Sequence, residues 1–257
     1  MEWWSLVLIL LAAFTAGLID AAVGGGGLVQ VPALFGIFPR EIPATLLGTN
    51  KLSSSFGTLL AASRYARKVN IDWRVTLPAV IGSFVLAFVG AWLARRLPKE
   101  VMRPLVVTLL LLVAAYTLRN KQFGRDHQPH DHGRWTVWLA LLTGGSIGLY
   151  DGFFGPGTGT FLLFAFIRVF GFDFLHASAS TKLVNLASNV ASVILFGLTG
   201  NILWQLGLAM ATANIAGAWL GSHIAIRYGN QLIRKLFIAL VSVLIAKLLW
   251  DTLHTLI

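Results

Sequence analysis

Two lysines stand inside apolar runs, where a charged side chain needs a partner or a purpose. Lys51 lies about seven residues into the run 44–62, and Lys182 about seven into the run 175–197. At a helical rise of 1.5 Å per residue, each is ~10 Å from the nearer end of its segment. A lysine at that depth in a bilayer costs about 2.5–3.5 kcal/mol on insertion scales. Snorkelling to the interface is the plain alternative, but it does not account for the neighbours. Ser54, Ser55 and Thr58 follow Lys51 at i+3, i+4 and i+7, while Asn185 and Asn189 follow Lys182 at i+3 and i+7. Each helix thus carries a polar stripe around its cation. Two such stripes facing one cavity would offer ammonium, amide and hydroxyl donors to the oxygens of a small anion. Thr49, Asn50 and Lys51 from one run, and Ser180, Thr181, Lys182 and Asn185 from the other, are the candidate substrate ligands. Asn214, deep in the run 203–223, either joins the cavity or makes a helix–helix hydrogen bond.

Two glycine clusters accompany the lysines. Gly24, Gly25, Gly26 and Gly27 match Gly155, Gly157 and Gly159 in the stretch Gly155-Pro156-Gly157-Thr158-Gly159. Glycine permits positive φ and close backbone approach. A helix starting after such a break aims its first N–H groups at whatever fills the cavity, and these favour anions. Tight helix packing is the competing use of glycine in membranes. No strand pattern precedes either cluster, so a nucleotide loop does not fit. Asp20 and Asp151 each stand four residues before a break. They are placed to cap it, to pair with a lysine, or to carry a coupled proton.

These features occur twice at one offset, 131 residues, which relates Asp20 to Asp151, Lys51 to Lys182, and Trp73 to Trp204. Apolar segments fall near 5–23, 26–38, 44–62, 75–93 and 101–118, then 135–153, 157–170, 175–197, 203–223 and 231–250. The second segment of each set is too short, as a helix, for a ~30 Å hydrocarbon core. Short, glycine-interrupted segments at corresponding places in two halves point to a transport site. The loop charges favour inverted copies. Residues 63–74 hold four Lys/Arg, and the counterpart 194–205 holds none. Inversion collects twelve basic loop residues on one side against five on the other, whereas parallel copies give nearly equal sides. The expected fold is therefore an all-α polytopic membrane protein of about 8–10 segments. Its two repeats, 1–118 and 135–257, are joined by a polar linker, 119–134.

Composition agrees. Hydrophobic residues make up 56% and charged residues 12%, half the charged share of a soluble domain. The mean hydropathy is +0.76. The net charge of +10 sits mostly in short loops, which reads as topology signalling and lipid-headgroup contact and not as nucleic-acid binding. There is no cysteine, hence no disulfide, thiolate metal site or cysteine nucleophile. Residues 1–14 resemble a signal-peptide core without a basic n-region and are read as retained. His127, His130 and His132 in the linker read as a solvated segment, with a weak surface metal site as the alternative. His176 near Ser178 and Ser180 lacks the glycine-flanked serine of a hydrolase, so no enzyme activity is expected. No catalytic residue, cofactor or dedicated metal centre is expected.

The chain resembles the sulfite exporter TauE/SafE family of bacterial membrane permeases, also called the toluene-sulfonate uptake permease family. The motifs that carry the resemblance are Gly17-Leu-Ile-Asp-Ala-Ala-Val-Gly-Gly-Gly-Gly27 with Pro32, Leu47-Gly-Thr-Asn-Lys-Leu52, Asp151-Gly-Phe-Phe-Gly-Pro-Gly-Thr-Gly159 and Ser180-Thr-Lys182. The resemblance implies an inner-membrane permease with a duplicated core, moving sulfur oxyanions or organosulfonates. No ATPase motif is present, so a gradient or the substrate's own potential would supply the energy. The expected partners are a small anion, the lipid bilayer and a second copy of the chain. A non-transporting membrane scaffold or assembly factor, and a passive anion channel, remain the alternatives.

Overall fold

The structure is a computed structural model. It describes residues 3–96, 127–130 and 132–256, with side chains described except at 234, 237 and from 240 onward. The expected segment 101–118 and much of the linker lie outside the described residues.

The described chain forms helices α1 (Trp3–Val23), α2 (Gly27–Ile37), α3 (Pro43–Ala66), α4 (Trp73–Ala94), α5 (Thr136–Phe153), α6 (Thr158–Phe170), α7 (Phe174–Leu198) and α8 (Trp204–Leu256). A single 3-10 turn, Gly133–Trp135, precedes α5. α8 is broken at Gly229, where φ 64 and ψ −155 interrupt the helix, so it supplies both expected segments 203–223 and 231–250. By length and composition α1, α4 and α7 are able to cross a membrane, and α2 and α6 are the short apolar helices. The boundaries follow local chemistry. α3 opens on Pro43, whose missing N–H is no loss in a first turn. Asp72 caps α4 through the Arg74 amide at 3.0 Å, and Asp173 caps α7 through the His176 amide at 2.8 Å. α6 stops at Gly171 in the left-handed region (φ 72), where the Gly171 and Phe172 amides donate back to the Ile167 and Phe166 carbonyls.

Glycines set the helix contacts. A Cβ at Gly17 would meet Asn214, and Cβ atoms at Gly217 and Gly221 would meet the Phe14 and Leu18 carbonyls. α1 and α8 therefore lie backbone to backbone and run in the same direction. α4 and α5 do the same through Gly82, Gly90, Gly144, Gly148 and Gly152, pairing Ala79 with Gly144 and Ala87 with Gly152. Small residues let membrane helices come this close. α3 lies along α8 with the same polarity, Leu52 against Gly207 and Gly57 against Asn214. α4 lies along α7, where Thr76 shares a 2.8 Å hydrogen bond with Ser180 and Ser83 donates to the Val184 carbonyl. α3 and α7 cross antiparallel: Gly48 meets Phe196 at one end, while Tyr65 joins Phe174 and Ala177 at the other.

Directions follow from these contacts. α1, α3 and α8 run one way; α4, α5 and α7 run the other. The 131-residue offset matches α1 with α5, α3 with α7 and α4 with α8, and the helix starts at 27 and 158, 43 and 174, and 73 and 204 keep that spacing. Every matched pair is antiparallel, the arrangement that the loop charges favour.

The short helices turn back. Gly26 lies against Ala16 and Asp20, and Leu34 lies with Ile9 and Ala13. α2 thus retraces α1 to the side where α1 began, and α3 starts there too, with Leu46 in the same cluster. α6 likewise returns to the start of α5, where the Val169 carbonyl meets the His130 and His132 rings. At 11 and 13 residues these helices reach only about 16–20 Å. Exposed tryptophans stand at both ends of the bundle: Trp3, Trp4 and Trp204 on one side, Trp73, Trp135 and Trp138 on the other, the placement of interfacial anchors.

Candidate functional site

The two breaks meet at the centre of the bundle. Gly24 (φ 77), Gly25 (φ 97), Gly155 (φ 95) and Gly157 (φ 87) all have positive φ. Only glycine takes these conformations without strain. Gly24 and Gly159 touch backbone to backbone; a Cβ on Gly159 would sit 2.7 Å from the Gly24 Cα. The first turns of α2 and α6 therefore start beside one another. Their amides lie in the zone where a helix terminus carries about half a positive charge.

The lysines reach across the halves. Lys51 Nζ, on α3, lies 2.6 Å from Asp151 Oδ1 at the end of α5, and both side chains are 2% exposed. Lys182 Nζ, on α7, lies 3.2 Å from Asp20 Oδ2 at the end of α1 and also donates to the Asp20 carbonyl. Lys182 is 1% exposed and Asp20 is 19% exposed. Each half thus supplies the lysine for the other half's acid. Of the roles open to Asp20 and Asp151 from spacing, the structure places both as lysine partners.

A narrow, partly open cleft lies between the breaks, lined among others by Asp20, Asn50, Lys51, Asp151, Asn185 and Asn214. Gly25, Gly26, Gly27, Gly155, Gly157 and Gly159 form its backbone wall, and Ser54, Thr58, Thr158 and Asn189 add hydroxyl and amide groups. Of the sequence candidates, Lys51, Asn50 and Asn185 face the cleft. Lys182 lies behind Asp20 and does not line it. Thr49 is occupied elsewhere, donating to the Thr45 carbonyl at 2.7 Å and accepting from the Leu203 amide at 3.0 Å. Ser180 bonds to Thr76, and Thr181 is buried outside the lining. Gly24 packs against Gly159 and is not a lining residue. The cleft is therefore not the doubly cationic cavity that two lysine stripes imply. It presents one ammonium, two carboxylates and two helix N-termini.

Two polar groups next to the cleft escaped the sequence reading. Gln30 on α2 is fully buried and accepts from Asn214 Nδ2 at 3.0 Å; the same amide donates to the Ala13 carbonyl at 3.1 Å. A lone glutamine inside the apolar run of α2 was the available signal. Tyr150 donates to the Pro156 carbonyl at 2.6 Å and so fixes the second break. Buried oxygens without partners cluster here as well, Asn50 Oδ1 and Asp151 Oδ2 among them.

The linker histidines divide. His130 and His132 bond to Val169, whereas His127 stacks on His176 with ring centroids 3.9 Å apart. His127, Asp173 and His176 bring three metal-ligating atoms within 4.8 Å of one another. They already satisfy each other: Asp173 Oδ1 bonds the His176 ring at 2.8 Å, and the Asp173 amide donates to His127 at 3.3 Å. Partial burial alone would raise the Asp173 carboxyl, but the hydrogen bonds from His176 outweigh it and hold the carboxyl below its usual value. Burial, then the His176 ring beside it, push the His127 imidazole below its usual range.

Comparison with known proteins agrees with this architecture. The family model for the sulfite exporter TauE/SafE matches residues 9–248. A probable membrane transporter protein, ORF9, of Sinorhizobium sp is 37% identical over 98% of this chain and 95% of its own length. The probable membrane transporter protein YfcA of Escherichia coli strain K12 is 34% identical over 93% of this chain and 88% of its own. A probable membrane transporter protein of Haemophilus influenzae is 34% identical over 96% and 95%. No solved structure matches the chain. A central polar cleft between opposed membrane helices, together with these whole-length matches, makes this chain a membrane transporter protein of the sulfite exporter TauE/SafE family.

Proposed function

We propose that the chain is a secondary permease of the bacterial inner membrane for a small anion, a sulfur oxyanion or an organosulfonate. The observation that carries this reading is Lys51, a buried ammonium on the cleft wall facing the starts of two helices. An anion there would take hydrogen bonds from the Lys51 ammonium, from the Asn50 and Asn185 amides, and from the first-turn amides of α2 and α6. Lys182 serves by holding Asp20 in place on the opposite wall. The glycines with positive φ give the halves a joint about which alternating access would turn.

A thermal-shift panel of sulfite, sulfate, thiosulfate, taurine and sulfoacetate on the purified protein tests the substrate class. A bound anion raises the melting temperature with the logarithm of its concentration. Flux in proteoliposomes follows with Lys51→Ala/Asp151→Asn, a pair that leaves no orphan charge and is expected to abolish anion flux. Stabilisation by taurine alone would mean that the carboxylates select an ammonium group, and would overturn the anion reading. Wild-type flux in the pair would overturn the site. Uniform lack of flux with an intact fold supports the scaffold reading instead.

A further inference from the structure

We infer that the anion is accepted together with one proton, and that Asp151 carries it. The inference rests on the anion-permease reading above and adds the coupled ion.

Charge is the starting point. Lys51, Asp151, Lys182 and Asp20 are the ionisable groups paired at the cleft, formally two positive and two negative. Among the described residues, the titratable and charged groups around the Lys51–Asp151 pair are Asp20 on α1, which acts on Lys51, and the Tyr150 phenol next to Asp151 on α5, while α4 holds no charge between Arg74 at its start and Arg95 past its end. On α7 the charge is Lys182, held by Asp20; α2, α6 and the wall of α8 contribute only neutral groups such as Gln30, Thr158 and Asn214. An anion entering alone would leave one uncompensated negative charge. A buried, unpaired charge costs several kcal/mol even after relaxation.

The geometry selects which carboxylate answers this. An oxygen that bonds to Lys51 competes for the ammonium now 2.6 Å from Asp151 Oδ1. Asp151 is 2% exposed, and its Oδ2 already has no hydrogen-bond partner. Once displaced, this carboxylate, 2% exposed, has no cation beside it. Taking up a proton removes its charge and turns it into a donor, which the bound oxyanion accepts. Asp20 is in the opposite situation: it is 19% exposed and keeps Lys182, which does not line the cleft. The balance is one proton bound at Asp151 per anion bound at Lys51. Both are released when the cleft opens to the other side and the Lys51–Asp151 pair closes again. A monoanion would then cross electroneutrally.

The test uses proteoliposomes holding the full chain and an internal pH dye, with methanesulfonate and toluenesulfonate as probes, since each is a monoanion that carries no proton at neutral pH. In the wild type, internal acidification is expected to accompany anion entry at a proton-to-anion ratio near one. In Asp151→Asn, at whatever rate anion exchanges, the ratio should fall close to zero. Asp20→Asn, whatever its rate, should keep the wild-type ratio. Anion entry without acidification in the wild type overturns the inference and leaves the permease reading intact, as does an unchanged ratio in Asp151→Asn. A lack of flux for both probes in the wild type overturns the permease reading and the coupling with it. Size-exclusion profiles of both variants show whether each is folded before its ratio is read.

Discussion

At the scale of the residue, the crosswise pairing of lysine and aspartate is what most needs explanation. Lys51 and Asp151 are both sealed from water at 2.6 Å. Removing one member of such a pair strands the other, at a cost of about 3–5 kcal/mol, whereas removing both does not. Lys51→Ala alone is therefore expected to lower thermal stability sharply, and adding Asp151→Asn should recover most of the loss. A double-mutant cycle by thermal melting in detergent measures this; additive losses would mean that the two side chains do not interact. The Lys182 pair should respond less to loss of its acid. Asp20 is more exposed, and Lys182 also donates to the Asp20 backbone carbonyl, so Asp20→Asn should destabilise less than Asp151→Asn. The lysines were legible in the sequence because a charge inside an apolar run stands out. Their partners were not, since a 131-residue spacing does not say which half supplies each acid. Thr49 and Ser180 show the same limit: a hydroxyl beside a lysine faces a neighbouring helix as readily as a cavity.

At the scale of the element, the breaks before α2 and α6 carry the site. Their glycines are not equivalent, and substitution should show it. Gly24→Ala puts a Cβ into the Gly159 backbone at a φ of 77, and Gly155→Ala puts one 2.9 Å from Lys51 Nζ at a φ of 95. The positive φ alone costs about 1–3 kcal/mol for a non-glycine residue. Gly24→Ala, which in addition needs backbone to move, should be the more damaging to stability. Gly155→Ala should show its larger effect on anion affinity, because a flexible lysine end is what must give way. Gly36 lies in α2 with nothing within 4 Å of an added Cβ, so Gly36→Ala should be neutral or stabilise by up to about 1 kcal/mol. Melting temperatures of the three variants rank them; a Gly36→Ala loss as large as that of Gly24→Ala would show that neither Cβ contact nor positive φ sets the order. The short helices were legible from their length and glycine flanks. That they turn back was not, because the contact between Leu34 and Ile9 that reveals it joins residues far apart in sequence.

At the scale of the whole molecule, opposed halves place one set of loops on each side of the bilayer. Residues 67–72 between α3 and α4, the described linker, and the turn before α7 lie at one end of the bundle. There the Arg74 side chain donates to the Gly133 carbonyl at 3.0 Å, and Asp173 meets His127. Residues 199–203 lie at the other end, where Asn201 approaches Thr45 at the start of α3. The first end carries Arg67, Lys68 and Arg74, while 199–203 carries no charge. Because basic loops stay in the cytoplasm, the first end should face inward. The absence of native cysteine makes this directly measurable. Lys68→Cys, in the first loop, should react with a membrane-impermeant maleimide only after inverted vesicles expose the cytoplasmic face. Leu198→Cys, at the highly exposed end of α7, should react in whole cells. Labelling of both from one side would contradict opposed halves. Reversal of both sides would keep the opposition and place the cytoplasm at the less basic end, against the charge bias from which the orientation is argued.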